Sequence, residues 1–112
     1  RALCAVVEEE SLSERGEKLT KEKIIGVSRY ITNPDQASCE FSLVVDGAYG
    51  GQGVGTRLML SIMDVARDKG LATIEGLVLA NNPDMLKLMR NLGFSIKAYP
   101  DDPEFKLVTH AL

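Results

Sequence analysis

The stretch Tyr49-Gly50-Gly51-Gln52-Gly53-Val54-Gly55-Thr56-Arg57-Leu58 has the residue types and spacing to do chemistry. Glycine has no Cβ, so a backbone through these positions can turn sharply and aim its N–H groups at a guest. A branched run (41–45) leads in and an amphipathic run (54–69) leads out, the pattern of strand, turn and helix. The first N–H groups of a helix have no partner inside it and lie at the positive end of its dipole, which makes such a turn an anion site suited to a phosphate or pyrophosphate. The dinucleotide pattern G-x-G-x-x-G fails, because Thr56 or Leu58 falls at the third glycine in the two registers. The P-loop pattern fails as well, since no Gly-Lys-Ser/Thr follows.

Glu40 is the second chemical candidate, an acid beside the apolar residues Phe41, Leu43, Val44 and Val45 and ten residues before Gly50. A carboxylate on such a strand is costly to bury without a purpose or a partner. It can act as a proton acceptor, or pair with a cation such as Arg29 on the neighbouring strand. Glu75 is the rival acceptor, and Asp46 trails it. His110, the single histidine, reads as structural. Cys4 and Cys39 show no metal or redox spacing and read as reduced thiols. No metal-ligand cluster is expected.

These residues need a scaffold. At 112 residues with 45% hydrophobic content the chain is one globular domain, residues 1–112. It begins without Met in what reads as mid-strand, so it is expected to be the C-terminal part of a longer chain. No apolar run approaches the ~20 residues that span a membrane, and a cytoplasmic protein is expected. A net charge of -3 argues against nucleic acid as the main partner. Residues 3–7 read as a strand and 8–23, almost wholly polar, as a solvated hairpin loop. Strands follow at 24–32 and 38–45, joined by the turn Asn33-Pro34-Asp35; together they predict an antiparallel meander. From Val54 the apolar spacing becomes helical up to Gly70, which suits a helix end. Residues 71–80 read as a strand parallel to 38–45, through a right-handed crossover. A second helix starts at Asn82-Pro83 and stops at Gly93, and strands at 94–99 and 105–112 close the chain.

Gly50-Gly51-Gln52-Gly53-Val54-Gly55 resembles the acyl-CoA loop Q/R-x-x-G-x-G/A of the GNAT acyltransferase superfamily. Gly50 stands where the family usually has Gln or Arg, which removes one side-chain contact. Residues Asn82 to Phe94 resemble the second signature of the same superfamily, an Asn-headed helix ending in Gly-Phe. The resemblance runs from about Ile24 to the C-terminus, and it implies an α/β (α+β) acyl-CoA N-acyltransferase fold: a mixed central sheet with helices on both faces, here without the family's N-terminal strand and first helices. The run from Cys39 to Val45 and the Leu92-Gly93-Phe94 ending look most like bacterial Pat-type protein lysine acetyltransferases.

The resemblance implies transfer of an acetyl group from acetyl-CoA to an amine, a protein lysine or a small molecule, with Glu40 as general base and no metal. It places the pyrophosphate on Gly50, Gly51, Gln52, Gly53, Val54, Gly55 and Thr56, with Arg57 in reach. It places the pantetheine arm against the backbone of Leu43, Val44 and Val45, with Asn82 on the other side. The family's general-acid Tyr corresponds to Met89, which cannot donate a proton. A non-catalytic acyl-CoA-binding module is the alternative. The sheet face left uncovered predicts a homodimer, or packing on a missing N-terminal domain.

Overall fold

A computed structural model gives the arrangement, describing residues 2–47 and 53–112 and, for residues 2–11, the backbone path alone. Gly50, Gly51 and Gln52, three of the expected anion-binding residues, lie outside the described residues. The elements are β1 (Ala2–Leu12), β2 (Lys18–Thr32), β3 (Ser38–Val45), α1 (Val54–Asp68), β4 (Thr73–Leu79), α2 (Pro83–Asn91), β5 (Ser95–Ala98) and β6 (Phe105–Ala111). All six strands join one sheet in the order β1-β2-β3-β4-β6-β5. Only β3 and β4 run parallel; the other neighbours are antiparallel. The mixed sheet, the meander and the parallel crossover are as the sequence predicts.

Residues 8–23 are the expected hairpin, but with paired strands in place of a loop. They form a two-stranded ribbon in which Glu9 stands opposite Lys21 and Leu12 opposite Lys18, closed by a turn in which the Ser13 N–H donates to the Glu17 carbonyl at 2.8 Å. Leu12 and residues 14–22 are exposed. A strand with water on both faces needs no alternation of polar and apolar residues, so the usual sign of a strand is missing here. The ribbon projects from the body: the radius of gyration is 16.8 Å, against ~13 Å for a compact chain of this length.

Both helices end where the glycines require. Gly70 (φ 81°) follows α1 and lets the Leu71 N–H reach the Ala66 carbonyl at 3.2 Å. Gly93 (φ 91°) follows α2, and the Phe94 N–H reaches the Met89 carbonyl at 2.9 Å. These are left-handed caps that satisfy the last carbonyls of each helix. α1 buries Leu58, Met59, Ile62, Met63 and Ala66, and the last four join Tyr30, Cys39, Phe41, Ile74, Val78, Met89 and Val108 in one core. The Ser28 hydroxyl, fully buried under α1, donates to the Leu58 carbonyl at 3.3 Å.

Strand residues alternate across the sheet, so Cys39 and Phe41 face the core while Glu40, Ser42 and Val44 face away. Both helices lie on the core side, and the expectation of helices on both faces is met on one of them among the described residues. The other face is open, with Ile31 76% and Val44 67% exposed.

Candidate active site

β3 and β4 pair through Ser38↔Thr73, Cys39↔Ile74 and Glu40↔Glu75, and there the pairing stops. Beyond it β3 stays paired to β2 as far as Val45, and β4 to β6 as far as Leu79. The two strands therefore splay, and Leu43, Val44 and Val45 have no strand partner on the β4 side. Phe41 lies at the apex. Its ring rests on Gly76 so closely that a Cβ there would come within 2.6 Å of Phe41 Cε1. Phe94 holds the ring from the edge, at a centroid distance of 5.7 Å.

The splay opens towards a cleft of about 810 Å³ between the head of α1 and the side of α2. Val45, Gly53, Val54, Gly55, Thr56 and Asn82, all expected site residues, line it. Gly53 caps α1 in the left-handed conformation (φ 79°), with no side-chain cap and no acid in the first turn. Among the described residues no side chain caps the first amides of α1, which lie at the positive end of its dipole. At Gly55 a Cβ would lie 3.0 Å from Leu88 Cδ2, so the missing side chain lets α2 close onto the first turn of α1. Arg57 is exposed and is not among the residues lining the cleft.

Asn82 has a structural task that its expected role leaves out. Its Oδ1 accepts from the Met85 N–H at 3.2 Å and caps α2. Its amide NH2 remains for a ligand. Leu43 packs half-buried against the core while Val44 points to the open face, so any contact they share with one ligand runs through their backbone.

Glu40 is exposed on the open face and is the last residue of β3 paired to β4. Arg29 stands opposite Ser42, and among the described residues no ion pair joins it to Glu40. Glu75, directly across the parallel pair, accepts from Asn33 Nδ2 at 3.2 Å. Asp46 lines the cleft and lies 3.7 Å from Lys23 Nζ. The Met89 side chain is fully buried in the core. Cys39 is buried too, and burial, with the charge of Glu75, pushes its thiol up. His110 meets Phe94 edge-on at 5.1 Å, and its Nδ1 lies against the Ala111 carbonyl.

Two residues escaped the sequence reading. Lys87 of α2 lines the cleft; the helical pattern marks it as solvent-facing and says nothing of the neighbour it faces. Tyr99, after β5, has its hydroxyl pushed up first by the charge of Asp101, then by burial, a hydrogen bond to Asp101 and the more distant charge of Glu40.

A splayed parallel pair beside a glycine-headed helix defines an acyl-CoA acyltransferase fold. The chain belongs to the acetyltransferase (GNAT) family, whose profile matches residues 6–94. An acetyltransferase of Pseudomonas aeruginosa is 33% identical over 78 residues, covering 70% of this chain and 42% of that protein. The chain thus spans less than half the length of this curated relative. The GNAT domain of S. lividans PAT superposes with a TM-score of 0.74 at 22% identity, over 85% of this chain and 58% of that one. A Salmonella typhimurium protein solved with its cofactor acetyl-CoA superposes with a TM-score of 0.66 at 20% identity, over 85% of this chain and 62% of that one. Among the described residues no helix is long and apolar enough to cross a membrane.

Proposed function

We propose that this domain transfers the acetyl group of acetyl-CoA to a primary amine, a lysine side chain of a protein, by direct attack with Glu40 as general base. One observation carries the reading: β3–β4 pairing ends at Glu40 and Glu75, and the opening runs on to the cleft at the head of α1. Gly50, Gly51, Gln52, Gly53, Val54, Gly55 and Thr56 hold the pyrophosphate through backbone N–H groups. The pantetheine amides pair with the free edge of Leu43, Val44 and Val45, as an added strand does. Five residue steps along the strand separate Val45 from Glu40, ~17 Å at ~3.3 Å each, so the thioester end lies towards the apex. Asn82 supplies its amide from the far wall.

A lysine amine must lose a proton before it attacks. With an unperturbed pKa of ~10.4, neutralising it at pH 7 costs about 4.6 kcal/mol. Glu40, directly or through one water, takes that proton. The nitrogen then bonds to the thioester carbon, the C–S bond breaks, and the thiolate leaves. Met89 gives no proton, so the thiolate departs unassisted by α2. An exposed Glu40 on an open sheet face suits a protein side chain better than a small molecule in a closed pocket. The Pat-type resemblance of residues 39–45 points the same way. The same open face would be covered by a second copy or by further chain, and the reaction needs no metal and no membrane; a cytoplasmic setting fits it.

Acetyl-CoA offered with a lysine-bearing protein, or with a polyamine, tests the reading. Acetylated lysine with release of CoA thiol supports it, and acetylated polyamine alone moves the acceptor to small amines. The buried Met89, at the position of the family's general-acid Tyr, favours the second reading of a CoA-binding module; tight acetyl-CoA binding with no thiol release from any acceptor would establish that one.

A further inference from the structure

We propose that Lys87 is the cation that binds the phosphate end of the cosubstrate, in place of the side chain missing at Gly50. This rests on the acetyl-CoA reading above. The packing of α2 on α1 carries the argument. Leu88 seats on Gly55, where a Cβ would lie 3.0 Å from its Cδ2. Lys87, its neighbour, is exposed and lines the cleft beside the first turn of α1. Asn91, one turn further on, lines it too and can donate from its amide.

Charge makes Lys87 necessary. Among the described residues lining the cleft it is the only cation, while Asp46 and Asp84 are acids. Asp46 has Lys23 at 3.7 Å to offset it. Asp84 has no such offset in the cleft except Lys87, three residues on along α2. The head of α1 provides about half a positive charge, too little for a diphosphate brought beside a carboxylate. A full ammonium on a flexible stem, hydrogen-bonding to phosphate oxygens, supplies the balance.

The test measures the affinity of this chain for CoA, dephospho-CoA and pantetheine by calorimetry, in the wild type and in Lys87→Ala, Lys87→Arg and the remote control Lys97→Ala. Lys87→Ala is expected to weaken CoA about tenfold, leave pantetheine unchanged and be largely rescued by arginine. Loss of the effect with dephospho-CoA would assign the contact to the 3′-phosphate, and its persistence to the diphosphate; either supports the proposal. Unchanged CoA affinity in Lys87→Ala overturns it while leaving the acetyl-CoA reading intact, and so does equal weakening of CoA and pantetheine. Failure of the wild type to bind CoA at all would overturn the reading itself and this proposal with it.

Discussion

Gly76→Ala probes the apex of the splay. The added methyl would lie 2.6, 2.8 and 2.9 Å from three carbons of the Phe41 ring, where ordinary contacts are near 3.5–4.0 Å. The ring has little room to retreat, being 6% exposed and held by Phe94 at 5.7 Å. Overpacking of this kind costs about 1–3 kcal/mol. Replacing glycine returns about 0.4–1 kcal/mol through the unfolded chain. The net expectation is a loss of about 1–2 kcal/mol, seen as a drop in Tm of about 4–8 °C. Trimming the ring in Phe41→Leu should remove most of the clash, so Phe41→Leu/Gly76→Ala should be less destabilised than the sum of its single variants. Calorimetric melts of the four proteins provide the cycle. A Gly76→Ala variant as stable as wild type, or an additive double variant, would refute the wedge.

Two further outcomes follow from the caps and turns. Asn82→Ala should lose about 1 kcal/mol of stability, whereas Asn82→Asp, which keeps the capping oxygen, should melt like wild type yet bind CoA less well; equal CoA affinity in Asn82→Asp would remove Asn82 from the site. Asp35 accepts from the Ala37 and Ser38 N–H groups at 2.9 and 3.0 Å, and these two bonds, then the Ser38 hydroxyl, hold its carboxyl below the usual 3.8. A carboxyl depressed by folding adds stability above its unfolded pKa and loses it as pH falls through the folded value. The Tm gap between wild type and Asp35→Ala should therefore be full at pH 6–7 and shrink below about pH 4; a gap that stays constant down to pH 2 would contradict the turn's electrostatics.

What the sequence shows is local. Gly70 and Gly93 announce the helix ends because only a left-handed residue lets the chain turn there, and the apolar spacing of α1 announces its buried face. The hairpin of residues 8–23 was legible, but its strand pairing was not: residues 14–22 are exposed and carry no alternating pattern, and pairing such as Glu9 with Lys21 becomes visible only in register. The splay could be expected only from the family resemblance, because no local pattern announces it and the contact of Phe41 with Gly76 at its apex spans 35 residues of chain. The alternative reading of Glu40, a pair with Arg29, is not met among the described residues, where Arg29 stands opposite Ser42. Lys87 could have been suspected from Gly50, but only the seating of Leu88 on Gly55 places it in the cleft.

Release of CoA thiol from acetyl-CoA, with a lysine-bearing protein as acceptor, tests the central claim most directly when wild type is compared with Glu40→Gln. The exposed position of Glu40 means the substitution should leave the fold and acetyl-CoA affinity unchanged. The account predicts a fall in rate of ~100-fold or more in the variant, the range expected on losing a general base. Equal rates in the two proteins would contradict it and move the base to Glu75 or to solvent.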